Sequence, residues 1–78
     1  MSKAMLEYAV PWLVDNPESV EIEELESEQG GTILELSVHP DDVGKVIGKR
    51  GRIIRSLRAL AKAAGQKQGT SVSVEVVD

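Results

Sequence analysis

The sequence contains no cysteine and no phenylalanine, and it has one histidine, one tryptophan and one tyrosine. Without cysteine the chain forms neither disulfide bonds nor thiolate metal sites, which is compatible with a reducing compartment. A lone histidine, and no pair of acids near the basic segment, leave no residues for acid–base or nucleophilic catalysis. We therefore expect a protein that is not an enzyme and that has no cofactor, metal ion or small-molecule substrate.

Long apolar runs are also absent. No run approaches the roughly 18 residues of a membrane-spanning helix, and the first residues lack the pattern of a signal peptide. With 78 residues, 41% of them hydrophobic, the chain has the composition of a small globular domain. Because neither repeats nor linkers are evident, we expect a single domain over residues 1–78, located in the cytoplasm without membrane contact.

Acidic and basic residues are separated along the chain, so the net charge of −4 hides two opposed regions. Residues 1–44 contain eleven acids and one lysine, whereas residues 45–67 contain eight lysines or arginines and no acid. A polyanion responds to the local field rather than to the net charge. The basic region is therefore a candidate nucleic-acid surface, and the acidic region should repel nucleic acid from the other faces.

The spacing of apolar residues predicts an α-β-β-α-α-β order. The predicted elements are helix 3–15, strand 19–27, strand 32–38, a short helix starting at residue 39 and stopped by Gly48, a helix from 52 to about 64, and strand 70–77. The first two strands suit an antiparallel hairpin, and the two helices before the last strand suit a right-handed crossover between parallel neighbours. We expect an α+β fold, in which a three-stranded mixed sheet with a central second strand is covered on one face by three helices.

Several residues refine this outline. Pro11 predicts a kink or two short turns within the first helix, because proline lacks the N–H that a helix interior needs. Gly65 is predicted to end the long helix. His39 is interpreted as a cap or surface residue, whereas Tyr8 and Trp12 suit either the core or an interface. The predicted core stripe of the long helix consists of Ile53, Ile54, Leu57, Leu60, Ala61 and Ala64.

The most informative stretch reads VIGKRGRII and spans residues 46–54. Gly48 and Gly51 bracket Lys49 and Arg50, and glycine permits both a tight turn and a close approach to the backbone. Two cations at the tip, next to the N–H groups that begin the following helix, suit a phosphate oxygen. We interpret the turn as a clamp for a nucleic-acid backbone. The alternative is an ordinary helix-to-helix turn with solvated charges.

Apolar and basic residues flank this turn. Ile47 and Ile54 are predicted to line an aliphatic wall beside it, although both also suit the core. Three further contacts are assigned on charge alone: Lys45, Arg52 and Arg55. The alternative to nucleic-acid contact is that these charges only form the solvated face of a helix. This alternative is stronger for Arg58 and Lys62. A P-loop is excluded, because three residues rather than four separate Gly44 from Gly48, and Arg50 stands where Ser or Thr would hold magnesium.

Residues 44–55, GKVIGKRGRIIR, resemble the I-G-x-x-G core of KH domains, and the element order resembles the type II, mainly bacterial, form. The small size and the step at residues 15–17, DNP, resemble the stand-alone KH proteins of the KhpA type, the YlqC family. This resemblance covers nearly the whole chain. It implies that Gly48 and Gly51 let the backbone of about four single-stranded nucleotides approach. Lys49 and Arg50 would then pair with phosphates, beside a groove containing Ile47 and Ile54.

The same resemblance implies the partners. These are single-stranded RNA, a second copy of the chain, and a larger KH protein of the KhpB (Jag-like) type. The implied role is RNA chaperoning or post-transcriptional regulation, tied to cell elongation and division. Two alternatives stay open: a protein-interaction or dimerisation module that keeps the KH shape without binding RNA, and a single-stranded DNA binder, because nothing in the loop obviously reads a 2′-hydroxyl. An aromatic stacking platform is not expected in a chain with so few aromatic residues.

Overall fold

The computed structural model describes residues 2–77, and this range contains three α-helices and three strands. The helices are α1 (Ser2–Ala9), α2 (Val43–Ile47) and α3 (Arg52–Lys67). The strands are β1 (Glu21–Glu26), β2 (Thr32–Ser37) and β3 (Val72–Val77). Short 3₁₀ turns lie at Val10–Trp12, Pro17–Ser19, Pro40–Asp42 and Lys49–Gly51. The predicted element order and α+β class are confirmed.

The sheet has the predicted mixed topology, with strand order β1-β2-β3. β1 runs antiparallel to β2, and β3 runs parallel to it. Leu34 in the central strand lies between Glu24 and Val74, and Leu36 lies between Ile22 and Val76. Because side chains alternate across a strand, both leucines point to the same face, where they are fully buried.

The core lies between that face of the sheet and the helices. Its buried apolar side chains are Leu6, Val10, Leu34, Leu36, Val38, Val46, Ile54, Leu57, Ala61 and Val74. Val46 anchors α2 in this core, and Ile54 and Leu57 anchor the first two turns of α3. The turn between α2 and α3 is therefore held at both ends by packed helices.

The first helix is shorter than predicted. α1 ends at Ala9, and the chain continues as a 3₁₀ turn over Val10–Trp12. The expected break at Pro11 is confirmed, since proline has no N–H to donate to the carbonyl of Glu7. The prediction of helix up to residue 15 is wrong. Tyr8 and Trp12 lie outside the core, with exposed fractions of 76% and 80%.

Two predictions about α3 are also wrong. Leu60 was predicted to be in the core stripe but is 56% exposed. The buried stripe of α3 is narrower and consists of Ile54, Leu57, Ala61 and Gly65. Gly65 does not end the helix, which continues to Lys67. A Cβ on Gly65 would lie 2.5 Å from Cγ2 of Val72 and 2.7 Å from the carbonyl oxygen of Thr70. The missing side chain instead lets the start of β3 pack directly against α3.

Candidate nucleic-acid interface

The turn between α2 and α3 depends on backbone conformations that favour glycine. α2 ends where the N–H of Gly48 donates to the carbonyl of Gly44 at 2.9 Å. Gly48 has φ 74° and ψ 174°, a region that only glycine occupies without considerable strain. Gly51 has φ 73° and ψ 18°, the left-handed helical conformation, and its N–H donates to the carbonyl of Gly48 at 3.1 Å. The two predicted glycines thus close a tight turn.

Gly48 is also sterically restricted. A Cβ at this position would lie 2.7 Å from Cγ1 of Ile53 and 3.0 Å from its Cβ and Cδ1. Real Cβ atoms essentially never approach another heavy atom within 3.0 Å. The backbone at Gly48 therefore lies directly against the half-buried side chain of Ile53.

The two cations between the glycines are exposed at the tip of the turn. Arg50 has φ 56° and ψ 27°, and it is the one non-glycine residue within 2–77 that has a positive φ. A left-handed conformation costs an ordinary residue roughly 1–2 kcal/mol, so Arg50 is held in a strained position. No side chain among residues 2–77 caps the N-terminus of α3, which leaves first-turn N–H groups beside Lys49 and Arg50.

Within the described part of the chain, acidic side chains do not form ion pairs with this positive surface. Within residues 2–77 the ion pairs are Lys45–Asp15 at 3.1 Å and the conditional pair His39–Asp41 at 3.7 Å. The exposed cations around the turn have no acidic partner within that range: Lys49, Arg50, Arg52 and Arg55. Nη1 of Arg55 lies 3.6 Å from the point where a Cβ of Gly51 would stand, so its guanidinium borders the turn. The predicted cations at residues 49–55 therefore have no competing carboxylate among residues 2–77.

Lys45 differs from these cations. Its Nζ lies 3.1 Å from Oδ2 of Asp15, and about half of its side chain is exposed. The hydrogen bond to Asp15, together with the negative charge of that carboxylate, raises the pKa of Lys45 above its usual value. Lys45 thus has an internal partner that a phosphate would have to replace.

A buried carboxylate fixes the segment in front of α2. Asp42 is 1% exposed, and it accepts hydrogen bonds from the N–H of Asp15 at 3.2 Å, the N–H of Asn16 at 2.9 Å and Nδ2 of Asn16 at 3.1 Å. Burial opposes its ionisation, but the hydrogen bonds from Asn16 and Asp15 together outweigh burial and lower the pKa of Asp42. This network holds the connection between α1 and β1 against the start of α2.

The sequence interpretation missed this network, because the two segments are 26 or 27 residues apart and no local pattern links them. By contrast, the cap at His39 is confirmed. Nδ1 of His39 accepts a hydrogen bond from the N–H of Asp41 at 3.1 Å, at the start of the 3₁₀ turn that leads into α2. No group of three or more histidine, cysteine, aspartate or glutamate side chains within residues 2–77 is arranged to hold a metal ion.

The aliphatic residues around the turn are divided between surface and core. Ile54 is 4% exposed and packs within the core, so it supports the wall from the inside. Ile47 and Ile53 are half-buried and pack at the margin of the core. Ile53 was assigned to the core stripe from the sequence, and its contact with Gly48 was missed because it depends on the shape of the turn.

Comparisons with known proteins identify the family of the chain and relatives of similar length. Residues 3–76 match the family described as KhpA/KhpB, KH domain. A Clostridium acetobutylicum protein named RNA-binding protein KhpA is 47% identical over 75 residues, which cover 96% of this chain and 99% of the relative. A Streptomyces coelicolor protein of the same name is 44% identical over 78 residues, which cover 100% of this chain and 94% of the relative.

A solved structure also resembles this fold. A crystal structure of Era from Aquifex aeolicus superimposes with a TM-score of 0.61 at 19% identity, covering 96% of this chain and 29% of the Era chain. At this level of identity the likeness concerns the fold alone.

No helix within residues 2–77 is both long and apolar enough to cross a membrane.

Proposed function

Because the chain belongs to the KhpA/KhpB family of KH domains, we propose that it binds single-stranded RNA, without catalysis, through the turn between α2 and α3. The observation that carries this proposal is the exposed pair Lys49 and Arg50. They stand between two glycines, at the uncapped N-terminus of α3, with no acidic partner in the described range. Relatives that span nearly the same length are named RNA-binding proteins.

Each part of the turn has a specific role in this proposal. Gly48 and Gly51 present backbone without side chains, so a sugar-phosphate strand is able to approach closely. The first-turn N–H groups of α3 and its helix dipole favour a phosphate oxygen. Lys49 and Arg50 neutralise successive phosphates, and Arg52 and Arg55 extend the positive surface along α3.

The bases then lie against the aliphatic wall beside the turn. Ile47 and Ile53 supply its accessible part, and Ile54 supports it from within the core. Lys45 joins the site when phosphate replaces Asp15 as its partner. Because one short groove supplies few contacts, we expect weak binding by a single chain, and avidity when two chains act together.

We further propose a cytoplasmic role in RNA chaperoning or post-transcriptional regulation, by one domain acting either as a homodimer or with a KhpB-type KH protein. A protein-interaction module is the second candidate function. It is favoured by three large apolar side chains that are more than half exposed, Tyr8, Trp12 and Leu60. Crosslinking of RNA to the protein in cells separates the two, since the second candidate predicts no enrichment of RNA over a mock pull-down.

The direct test is a charge-reversal pair with a matched control. Lys49→Asp with Arg50→Asp should weaken binding to a single-stranded RNA decamer about tenfold or more, because two phosphate contacts become repulsive. Lys3→Asp with Lys67→Asp makes the same change in net charge away from the turn and should bind nearly as well as the wild type. Fluorescence anisotropy measures both, and circular-dichroism melts check the folding of each variant. Equal binding by the two double variants would contradict the proposal, and a matched DNA decamer tests preference for RNA.

A further inference from the structure

The outer edge of β3 is in contact with an arginine of α3. β3 pairs with β2 on one side, and the N–H of Thr32 donates to the carbonyl of Ser71 at 2.7 Å. Backbone groups alternate in direction along a strand, so those of Val72, Val74 and Val76 point to the other side. Nε of Arg58 donates to the carbonyl oxygen of Val74 at 3.1 Å, which places the guanidinium across this open edge.

The position of Arg58 follows from the packing of α3. Because Gly65 lets the start of β3 approach the helix, the side chain at Arg58 is able to reach the strand. Arg58 lies two turns beyond Gly51, about 10 Å along the helix from the turn. A cleft of about 340 Å³ opens here, lined by Arg58, Lys62, Val72, Ser73, Val74 and Glu75. An RNA strand held at the turn by its phosphates would place the base of the adjacent nucleotide in this cleft.

We propose that Arg58 is a specificity-determining residue that selects guanine over adenine in this cleft. This inference rests on the proposed function. With Nε committed to Val74, the two Nη groups remain as parallel donors in a fixed plane. Guanine offers two adjacent acceptors, O6 and N7, which match this fork, whereas adenine places its N6 amino donor beside N7. The Nη groups are donors only, so they offer no acceptor to the amino group of adenine.

A phosphate contact by Arg58 predicts a different outcome. It would strengthen binding to every sequence by the same factor, because phosphate contacts do not distinguish bases. The fixed plane of the guanidinium favours base reading, since the bond from Nε to Val74 holds both Nη groups in one orientation against the strand edge. The ratio of two affinities therefore separates these roles more clearly than either affinity alone.

The experiment compares uridine decamers that carry guanine or adenine at every third position. By anisotropy, wild type should bind the guanine RNA about fivefold or more tightly. Arg58→Ala should reduce this ratio to near one, and so should Arg58→Lys, which keeps the charge but loses the fork. Lys62→Ala, its neighbour in the cleft, should change both affinities by the same factor and leave the ratio intact.

Changes in the RNA test the same contact without altering the protein. Replacing guanine by 7-deazaguanine removes N7 and should abolish the preference, whereas inosine keeps O6 and N7 and should retain it. A wild-type ratio near one would overturn the inference, and so would a preference that persists in Arg58→Ala. Either result leaves RNA binding intact as long as both RNAs bind and the Lys49 and Arg50 reversal weakens them. Failure of the wild type to bind any RNA would instead overturn the proposed function.

Discussion

Replacing single glycines by alanine tests the geometry of the turn, because the three glycines of this segment have different surroundings. Gly48 has both a conformation restricted to glycine and a neighbour, Ile53, that a Cβ would overlap at 2.7 Å. Gly51 has a left-handed conformation, but its nearest neighbour would lie 3.6 Å away. Gly44 lies within α2, with nothing within 4 Å of its Cβ position. The three substitutions therefore separate strain from overlap.

The expected free energies follow from these differences. Gly48→Ala should lower the free energy of unfolding by about 3 kcal/mol, from the backbone conformation and the overlap together. Gly51→Ala should lower it by about 1–2 kcal/mol, from the left-handed conformation alone. Gly44→Ala should raise it by about 0.5–1 kcal/mol, because alanine favours a helix interior. For a domain of this size each kcal/mol moves the melting temperature by about 4–8 °C.

Urea titrations followed by circular dichroism measure all three values, and thermal melts check their order. The expected order of stability is Gly44→Ala, wild type, Gly51→Ala and Gly48→Ala, from most to least stable. Equal costs at Gly48 and Gly51 would refute the overlap with Ile53. A cost at Gly44 as large as that at Gly51 would refute the assigned conformations.

Three further predictions concern the tip of the turn, the salt dependence and the network in front of α2. Arg50→Gly should raise the free energy of unfolding by up to about 1 kcal/mol, because it removes a strained left-handed residue, and should weaken RNA binding; a loss of stability in urea would contradict this. The logarithm of RNA affinity should fall with the logarithm of salt concentration with a slope of about −2, as expected for roughly three phosphates on a single strand; a flat response would contradict phosphate contacts. Asp42→Asn should destabilise the protein at pH 7. Folding lowers the pKa of Asp42, so the contribution of its carboxylate to stability is complete above the usual carboxyl pKa and is lost as pH falls through the folded value. The melting temperatures of wild type and variant should therefore converge in acid. A difference that stays constant with pH would contradict this.

The sequence alone was sufficient to predict the sheet and the turn between α2 and α3. In strands such as ILELSV and VSVEV, apolar and polar residues alternate, and this alternation indicates which side chains face the helices. Two glycines around two cations indicate a tight, positively charged turn. Pro11 correctly indicated a break, because the effect of a missing N–H is local. These features depend on residues within a few positions of each other.

The remaining features depend on contacts between distant segments. Asp42 holds Asn16 across 26 residues, and Arg58 reaches Val74 across 16. Gly65 suggested a helix end, but its lack of a side chain instead lets the start of β3 pack closely against α3. The order of residues along the chain does not reveal this contact. The charge of Lys45 suggested a phosphate contact, whereas its pairing with Asp15 is visible only in three dimensions.

The central claim is that RNA contacts the turn between α2 and α3 and not another face of the molecule. Amide chemical-shift mapping by nuclear magnetic resonance, with a single-stranded RNA decamer added to the uniformly labelled full chain, tests this claim most directly. We predict that the largest shifts fall at residues 47–55 and that the exposed sheet face around Glu35 stays unperturbed. Largest shifts on that acidic face, or none at residues 48–51 at saturating RNA, would contradict the account.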